Sequence, residues 1–274
     1  MLKGPSRRCI CTCGRVVERK SETCSNCKEV IKEFPSPDLV ACAQYGLLDE
    51  LQALVEEADQ DVNSRDDVGA TPLHWASMNG SMDIIRYLTS FESLQIDALG
   101  GDLQASPLYW AVRQNQIYAA NALLQHGANL TLPDINGVDS LFLAVQCERV
   151  IMTAFLVASK ADVNSLRQDN SNMTPLMWIC RYRRNMSVIW ALLNLHASVN
   201  LQDKDGNTAL HYAVMNKNRS AAKSLLEFGA DHTIRNAKGE TPLESGQEDS
   251  SVCLMLDSYQ LLQNRMRIWL FRVG

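Results

Sequence analysis

One hexapeptide returns down this chain at nearly constant spacing. It reads TPLHWA from Thr71, SPLYWA from Ser106, DSLFLA from Asp139, TPLMWI from Thr174, TALHYA from Thr208 and TPLESG from Thr241. The steps between starts are 35, 33, 35, 34 and 33 residues. An earlier, worn copy begins near Pro37, where PDLVACAQYG aligns with TPLHWASMNG at an offset of 34. A period of this length constrains the fold more than any composition does. A unit so short has no core of its own, so its apolar face must be covered by the next unit in the stack.

The pattern inside a unit is legible. Thr or Ser can cap a helix N-terminus. Pro suits the first helical turn, where its missing N–H costs nothing. The Leu and the Ala of the hexapeptide fall three apart on one helix face and point inward. A second helix follows in MDIIRYL, YAANALLQHG, VIWALLNLH and SAAKSLLEFG, with Gly127 and Gly229 placed to close it in the left-handed conformation. Turns such as DKDG and NAKG come next. Spacing and hexapeptide are those of ankyrin repeats, and the chain resembles that family over most of its length. The resemblance implies an all-α ankyrin-repeat solenoid of about seven helix-turn-helix repeats over residues 37–262. A Cys-rich tail precedes it at 1–36 and a short tail follows at 263–274.

Two loops are lengthened. Most copies take ten residues from the Asp or Asn after the second helix to the next hexapeptide, as from Asp61 to Thr71, but Gln95 to Ser106 takes eleven and Asp162 to Thr174 takes twelve. Insertions in such stacks fall on one edge, often the binding one, or are tolerated drift.

One slot of the hexapeptide holds Trp75, Trp110, Leu143, Trp178 and Tyr212. It lies two positions after the inward Leu, about 200° around the helix, and so points roughly away from the core. Repeated aromatic rings in an outward slot suggest an interaction groove. Alternatively, each ring leans sideways and packs on a neighbouring repeat.

The match narrows further. DALGGDLQASPLYWAVRQ, NMTPLMWICRYRRN, NTALHYAV and the opening VACAQYGLLDELQALVEEA resemble the N-terminal ankyrin domain of the ankyrin-bearing Asp-His-His-Cys palmitoyltransferases of the huntingtin-interacting type. The resemblance implies a module on the cytosolic face of Golgi or vesicle membranes. It recruits substrate proteins, huntingtin-like and synaptic ones among them, through short extended segments ending in Gln-Pro. In that family an Asn four positions after one hexapeptide Trp, and the Trp of the next hexapeptide, bind the segment. Those positions are Asn79 and Trp110 here. Trp75, Trp178, Tyr212 and Tyr109 complete the candidate peptide-binding set. Tyr109 stands where family members usually carry His.

No Asp-His-His-Cys run, Gly-rich phosphate loop, zinc-protease motif or nucleophile elbow occurs in these residues. No catalytic residue is therefore assigned, and the chain by itself is not expected to be an enzyme. It could be a fragment or truncated form of a palmitoyltransferase, joined to the membrane through a region not in this sequence, or a free-standing cytoplasmic ankyrin scaffold or inhibitor unrelated to acylation. A net charge of −5 with no basic face argues against nucleic acid. Cys9, Cys11, Cys13, Cys24 and Cys27 crowd the start and are candidate zinc ligands, with a tail of reduced or lipidated cysteines as the alternative; no other cofactor is expected. The basic run CRYRRN, Cys180 to Asn185, reads as a solvated face or as a meeting point for an acidic partner.

Overall fold

The computed structural model describes residues 8–10, 16–18, 38–182 and 185–246. Two short strands, β1 (Arg8–Ile10) and β2 (Val16–Glu18), pair antiparallel with Cys9 opposite Val17. Twelve helices follow among the described residues. They come as pairs: α1 (Leu39–Tyr45) with α2 (Leu48–Glu56), α3 (Pro72–Asn79) with α4 (Met82–Leu88), and α5 (Pro107–Arg113) with α6 (Ile117–Gln125). Then come α7 (Ser140–Gln146) with α8 (Val150–Ala158), α9 (Pro175–Tyr182) with α10 (Met186–Asn194), and α11 (Ala209–Met215) with α12 (Arg219–Glu227). The first helices of the pairs pack in succession, α1 on α3, α3 on α5, and so on to α11, and among the second helices α4 packs on α6, α8 on α10 and α10 on α12. This is the expected ankyrin-repeat stack. Thr241–Gly246 begin the seventh copy, whose remainder lies outside the described residues.

The hexapeptide explains the stack. Leu73, Leu108, Leu141, Leu176 and Leu210 are buried, as are Ala76, Ala111, Ala144 and Ala213 three positions on. They form one continuous apolar core running through all the repeats. The helix starts are capped as the sequence suggests. Ser106 Oγ accepts from the Tyr109 N–H at 3.3 Å. Asp139, in the copy without Thr-Pro, does the same for Phe142 at 2.7 Å. A carboxylate caps as well as a hydroxyl, so this degenerate copy keeps its fold. Gly127 and Gly229 have φ of 90° and 85°, the left-handed closure expected of them.

Polar groups fix the spacing between repeats. The Thr71 N–H donates to His74 Nδ1 at 3.0 Å, so that nitrogen is the acceptor and Nε2–H donates to the Ala105 carbonyl of the next repeat at 2.9 Å. Thr208, His211 and Glu240 repeat the scheme. Successive hairpin tips are joined by backbone bonds: Gly101 N–H to Val68 O, Ile135 N–H to Leu103 O, Gln168 N–H to Gly137 O, Lys204 N–H to Ser171 O and Ala237 N–H to Asp205 O. Each buried bond of this kind contributes about 1 kcal/mol and costs more than that if left unmade.

Candidate functional site

The inner helices and hairpin tips carry the candidate residues. An Asx residue organises the tips. In the second copy Asp66 Oδ1 accepts from the Val68 and Ala70 N–H groups at 3.0 and 2.8 Å. Asp134, Asp203 and Asn236 bond their own turns in the same way. Such a side chain replaces backbone partners that a tight turn leaves without bonds. The second carboxylate oxygen then reaches the inner helix. Asp66 Oδ2 accepts from the Trp75 indole N–H at 2.9 Å. Asp203 Oδ2 accepts from the Tyr212 hydroxyl nine positions later in its own unit. The aromatic slot therefore leans onto its own hairpin.

That geometry corrects the picture of an open aromatic ladder. Trp178 and Tyr212 are only 9 % and 4 % exposed, and Leu143 in the same slot is buried too. Trp178 packs edge-on against Phe142, with ring centroids 6.1 Å apart. The 200° argument treats the helix alone and ignores the hairpin and the neighbouring repeat, which draw Leu143, Trp178 and Tyr212 into the buried core. Tyr109 is also buried, and its hydroxyl donates to Asp134 of the next hairpin at 2.9 Å. It thus bridges to the following repeat, as His74 and His211 do in theirs. Burial and the Asp134 carboxylate push the Tyr109 phenol above its ordinary range. Leu143, Trp178, Tyr212 and Tyr109 are parts of the frame.

Trp110 differs from the others. Nine positions before it the third copy has Gly101 in place of an Asx residue. Among the described residues its indole N–H makes no hydrogen bond, whereas that of Trp75 is taken by Asp66. Its ring is held by three contacts: edge-on to Trp75 at 5.4 Å, edge-on to His74 at 5.1 Å, and close against Gly101. It remains partly exposed and lines a cleft of about 240 Å³ with Met78, Arg113 and Gln114. The cleft is thus a rigid indole with a spare donor, beside a thioether, a cation and an amide. Such a surface suits an extended peptide: apolar contact from the ring, and an N–H for a backbone carbonyl.

The Gly-Gly loop builds this wall. Gly100 pairs with Ala105 through two backbone bonds of 3.1 and 3.0 Å. A Cβ on Gly100 would lie 2.5 Å from the Gly69 carbonyl oxygen. The eleven-residue loop therefore passes close to the preceding hairpin, as Gly137 and Gly206 do to the hairpins that follow them.

Asn79 ends α3, next to Met78 of the cleft, and is exposed. Its Nδ2 donates to the Gln44 carbonyl at 2.7 Å, stapling this repeat to the previous one. Asn216, in the same slot four copies on, donates to the Cys180 carbonyl at 2.8 Å. This stapling role had no signature in the sequence beyond the recurrence of Asn itself.

Of the five N-terminal cysteines, Cys9 is described only as backbone in β1; Cys11, Cys13, Cys24 and Cys27 lie outside the described residues. Among the described residues Cys42, Cys147 and Cys180 are free thiols. Burial pushes Cys42 and Cys180 up to about 12. Among the described residues no helix is long and apolar enough to cross a membrane, and no group of three or more His, Cys, Asp or Glu could hold a metal ion.

Comparison with known proteins agrees with the stack. The family described as ankyrin repeats (3 copies) matches residues 39–134, 141–236 and 184–252. Palmitoyltransferase ZDHHC13 of Homo sapiens is 33 % identical over 245 residues, which cover 88 % of this chain and 39 % of that one. Palmitoyltransferase ZDHHC17 of Homo sapiens is 36 % identical over 229 residues, covering 83 % and 36 %. The chain thus spans less than two fifths of these relatives. Among solved structures, the ankyrin repeat domain of Bcl-3 aligns with a TM-score of 0.72 at 22 % identity, covering 82 % of this chain and 99 % of that one. The human ASB11 ankyrin repeat domain aligns with a TM-score of 0.64 at 25 % identity, covering 79 % and 94 %.

Proposed function

The chain belongs to the ankyrin-repeat family, and on that premise we propose that it is a protein-recognition module that holds a short extended peptide across the Trp110 cleft. The carrying observation is the spare indole N–H of Trp110 beside Met78, Arg113 and Gln114. The other two tryptophans of the slot are otherwise engaged, Trp75 by Asp66 and Trp178 by burial. A proline ring of the ligand stacks on the flat indole, and a neighbouring backbone carbonyl accepts from Nε1. Asn79, which follows Met78 at the end of α3, offers its carboxamide oxygen, its N–H being given to Gln44.

The similarity to ZDHHC13 and ZDHHC17 supports a finer reading. The module recruits substrate proteins for S-palmitoylation through segments containing Gln-Pro, at the cytosolic face of Golgi or vesicle membranes. The acyl transfer itself belongs to an Asp-His-His-Cys centre, which is not among these 274 residues.

Fluorescence anisotropy with a labelled peptide of about ten residues containing Gln-Pro tests this. The native chain binds it, and Trp110→Ala loses at least tenfold in affinity while keeping its helical circular dichroism. Equal affinities for the native chain and a folded Trp110→Ala variant would overturn the proposal.

A further inference from the structure

A second, larger cleft of about 440 Å³ opens farther along the same stack, where α9 and α11 meet the hairpin tips of the sixth and seventh copies. Arg181, Asp205, Tyr212, Asn216, Asn236 and Lys238 are among its walls. Arg181 is its organising group. The guanidinium carbon sits 5.1 Å from the centroids of both the Tyr182 and the Tyr212 rings. One of its N–H groups donates to the Tyr212 hydroxyl at 3.2 Å. Two aromatic rings and a hydroxyl therefore hold an exposed cation in place, which lowers the ordering cost of using it.

No carboxylate among the described residues pairs with the charge of Arg181 or of Lys238. Both are exposed on the cleft wall. Asp203, behind the Tyr212 ring, is buried and already accepts from that hydroxyl and from the Asp205 and Asn207 N–H groups. The Asn216 amide is taken by the Cys180 and Arg181 carbonyls. What remains open to a ligand is two cations against the single carboxylate of Asp205. Among the described residues only the Nη1 group of Arg181 donates, to the Tyr212 hydroxyl and to Met173 Sδ, and Nη2 and Nε remain to meet a carboxylate with two parallel N–H donors.

The two clefts share a repeat position. Trp110 on α5 and Tyr212 on α11 occupy the same slot of copies three and six. The helices α5, α7, α9 and α11 pack side by side. Three helix-to-helix steps span about 25–30 Å. An extended peptide covers that with about eight or nine residues.

We infer that the Arg181–Lys238 cleft is a second anchor for the same extended ligand, taking an Asp or Glu side chain about eight or nine residues from the group bound at Trp110. The inference rests on the peptide-binding reading above. It widens the ligand from a short apolar motif to a segment with an acidic residue at a set distance, and it gives Arg181 a task.

Five labelled peptides test it by anisotropy: the ten-residue Gln-Pro peptide, and longer Glu-Glu and Gln-Gln versions with the pair about eight residues away, one of each with the extension on either side. The expected result is that one Glu-Glu peptide binds at least fivefold more tightly than its Gln-Gln twin. Arg181→Gln removes that ratio without changing the short peptide, and Arg181→Lys keeps part of it. The ratio also shrinks as salt rises from 50 to 300 mM. Equal binding of the Glu-Glu and Gln-Gln peptides on both sides, with the short peptide still bound, would overturn this inference and leave the Trp110 reading intact. A ratio that survives Arg181→Gln would also overturn it. If the short peptide does not bind at all, the Trp110 reading fails instead.

Discussion

The Trp110 ring and the Gly101 backbone are fitted to each other. A Cβ on Gly101 would stand 2.6 Å from Cζ2 of the indole, and Gly101 has φ of 72°, where a side chain is strained in any case. The glycine that replaces the hairpin Asx residue of this copy thus does two things. It removes the acceptor that would engage the indole N–H, and it makes room for the ring.

Gly101→Ala should therefore act on the cleft as well as on stability. The left-handed φ alone costs about 1 kcal/mol, and moving the indole adds to that. We expect a total loss of about 1–3 kcal/mol in urea unfolding, a shift in tryptophan emission and weaker binding of the Gln-Pro peptide. Gly100→Ala meets the Gly69 backbone rather than a side chain, so its stability loss should be larger. A Gly101→Ala chain with unchanged peptide affinity would show that the ring position is unimportant for binding.

The two hairpin carboxylates predict different tolerances. Trp75 offers Asp66 a donor only, whereas the Tyr212 hydroxyl can donate or accept. Asp66→Asn turns an amide N–H toward the indole N–H and should cost about 1–2 kcal/mol. Asp203→Asn lets the hydroxyl reverse its role and should cost less. Urea midpoints of the two variants check the order; the reverse order would refute the pairing of roles.

Asn79→Ala separates staple from ligand contact. Losing the bond to the Gln44 carbonyl should lower stability by about 1 kcal/mol. Isothermal titration at 10 °C, where native and variant are both folded, should also show a several-fold loss of peptide affinity. Lost stability with full affinity would confine Asn79 to the staple.

His74 predicts a pH dependence. Burial pushes its imidazole from 6.5 down to about 4, because the charged ring loses its water, and this outweighs the Ala105 carbonyl, which favours the charged form. The unfolded chain therefore binds more protons between these values, and stability rises with pH across the window. The contribution is complete above about 6.5 and lost as pH falls toward 4; it amounts to about 3 kcal/mol. His74→Gln should flatten the slope of unfolding free energy between pH 6.5 and 4. A slope as steep as the native one would place the titration elsewhere.

Sequence alone determined the repeat, its helices and its inward face. Leu and Ala three apart, and a cap at each start, are local facts that a period of 33 to 35 residues multiplies, and stacking supplies the rest. Recurrence marked the slot that holds Trp110, loop length marked the Gly-Gly segment, and the family resemblance singled out Trp110 within the slot. Tertiary structure decided which members of the aromatic slot are available. Trp75, Trp178, Tyr212 and Trp110 look equivalent along a helix. Their fates depend on what stands nine residues earlier on a hairpin that folds back over them, and on the neighbouring repeat. Asp66 engages Trp75, Asp203 engages Tyr212, Phe142 covers Trp178, and Gly101 leaves the Trp110 indole N–H without a partner among the described residues. Helical periodicity gives a side chain its direction, but whether another group meets it there depends on contacts between segments that the period does not encode.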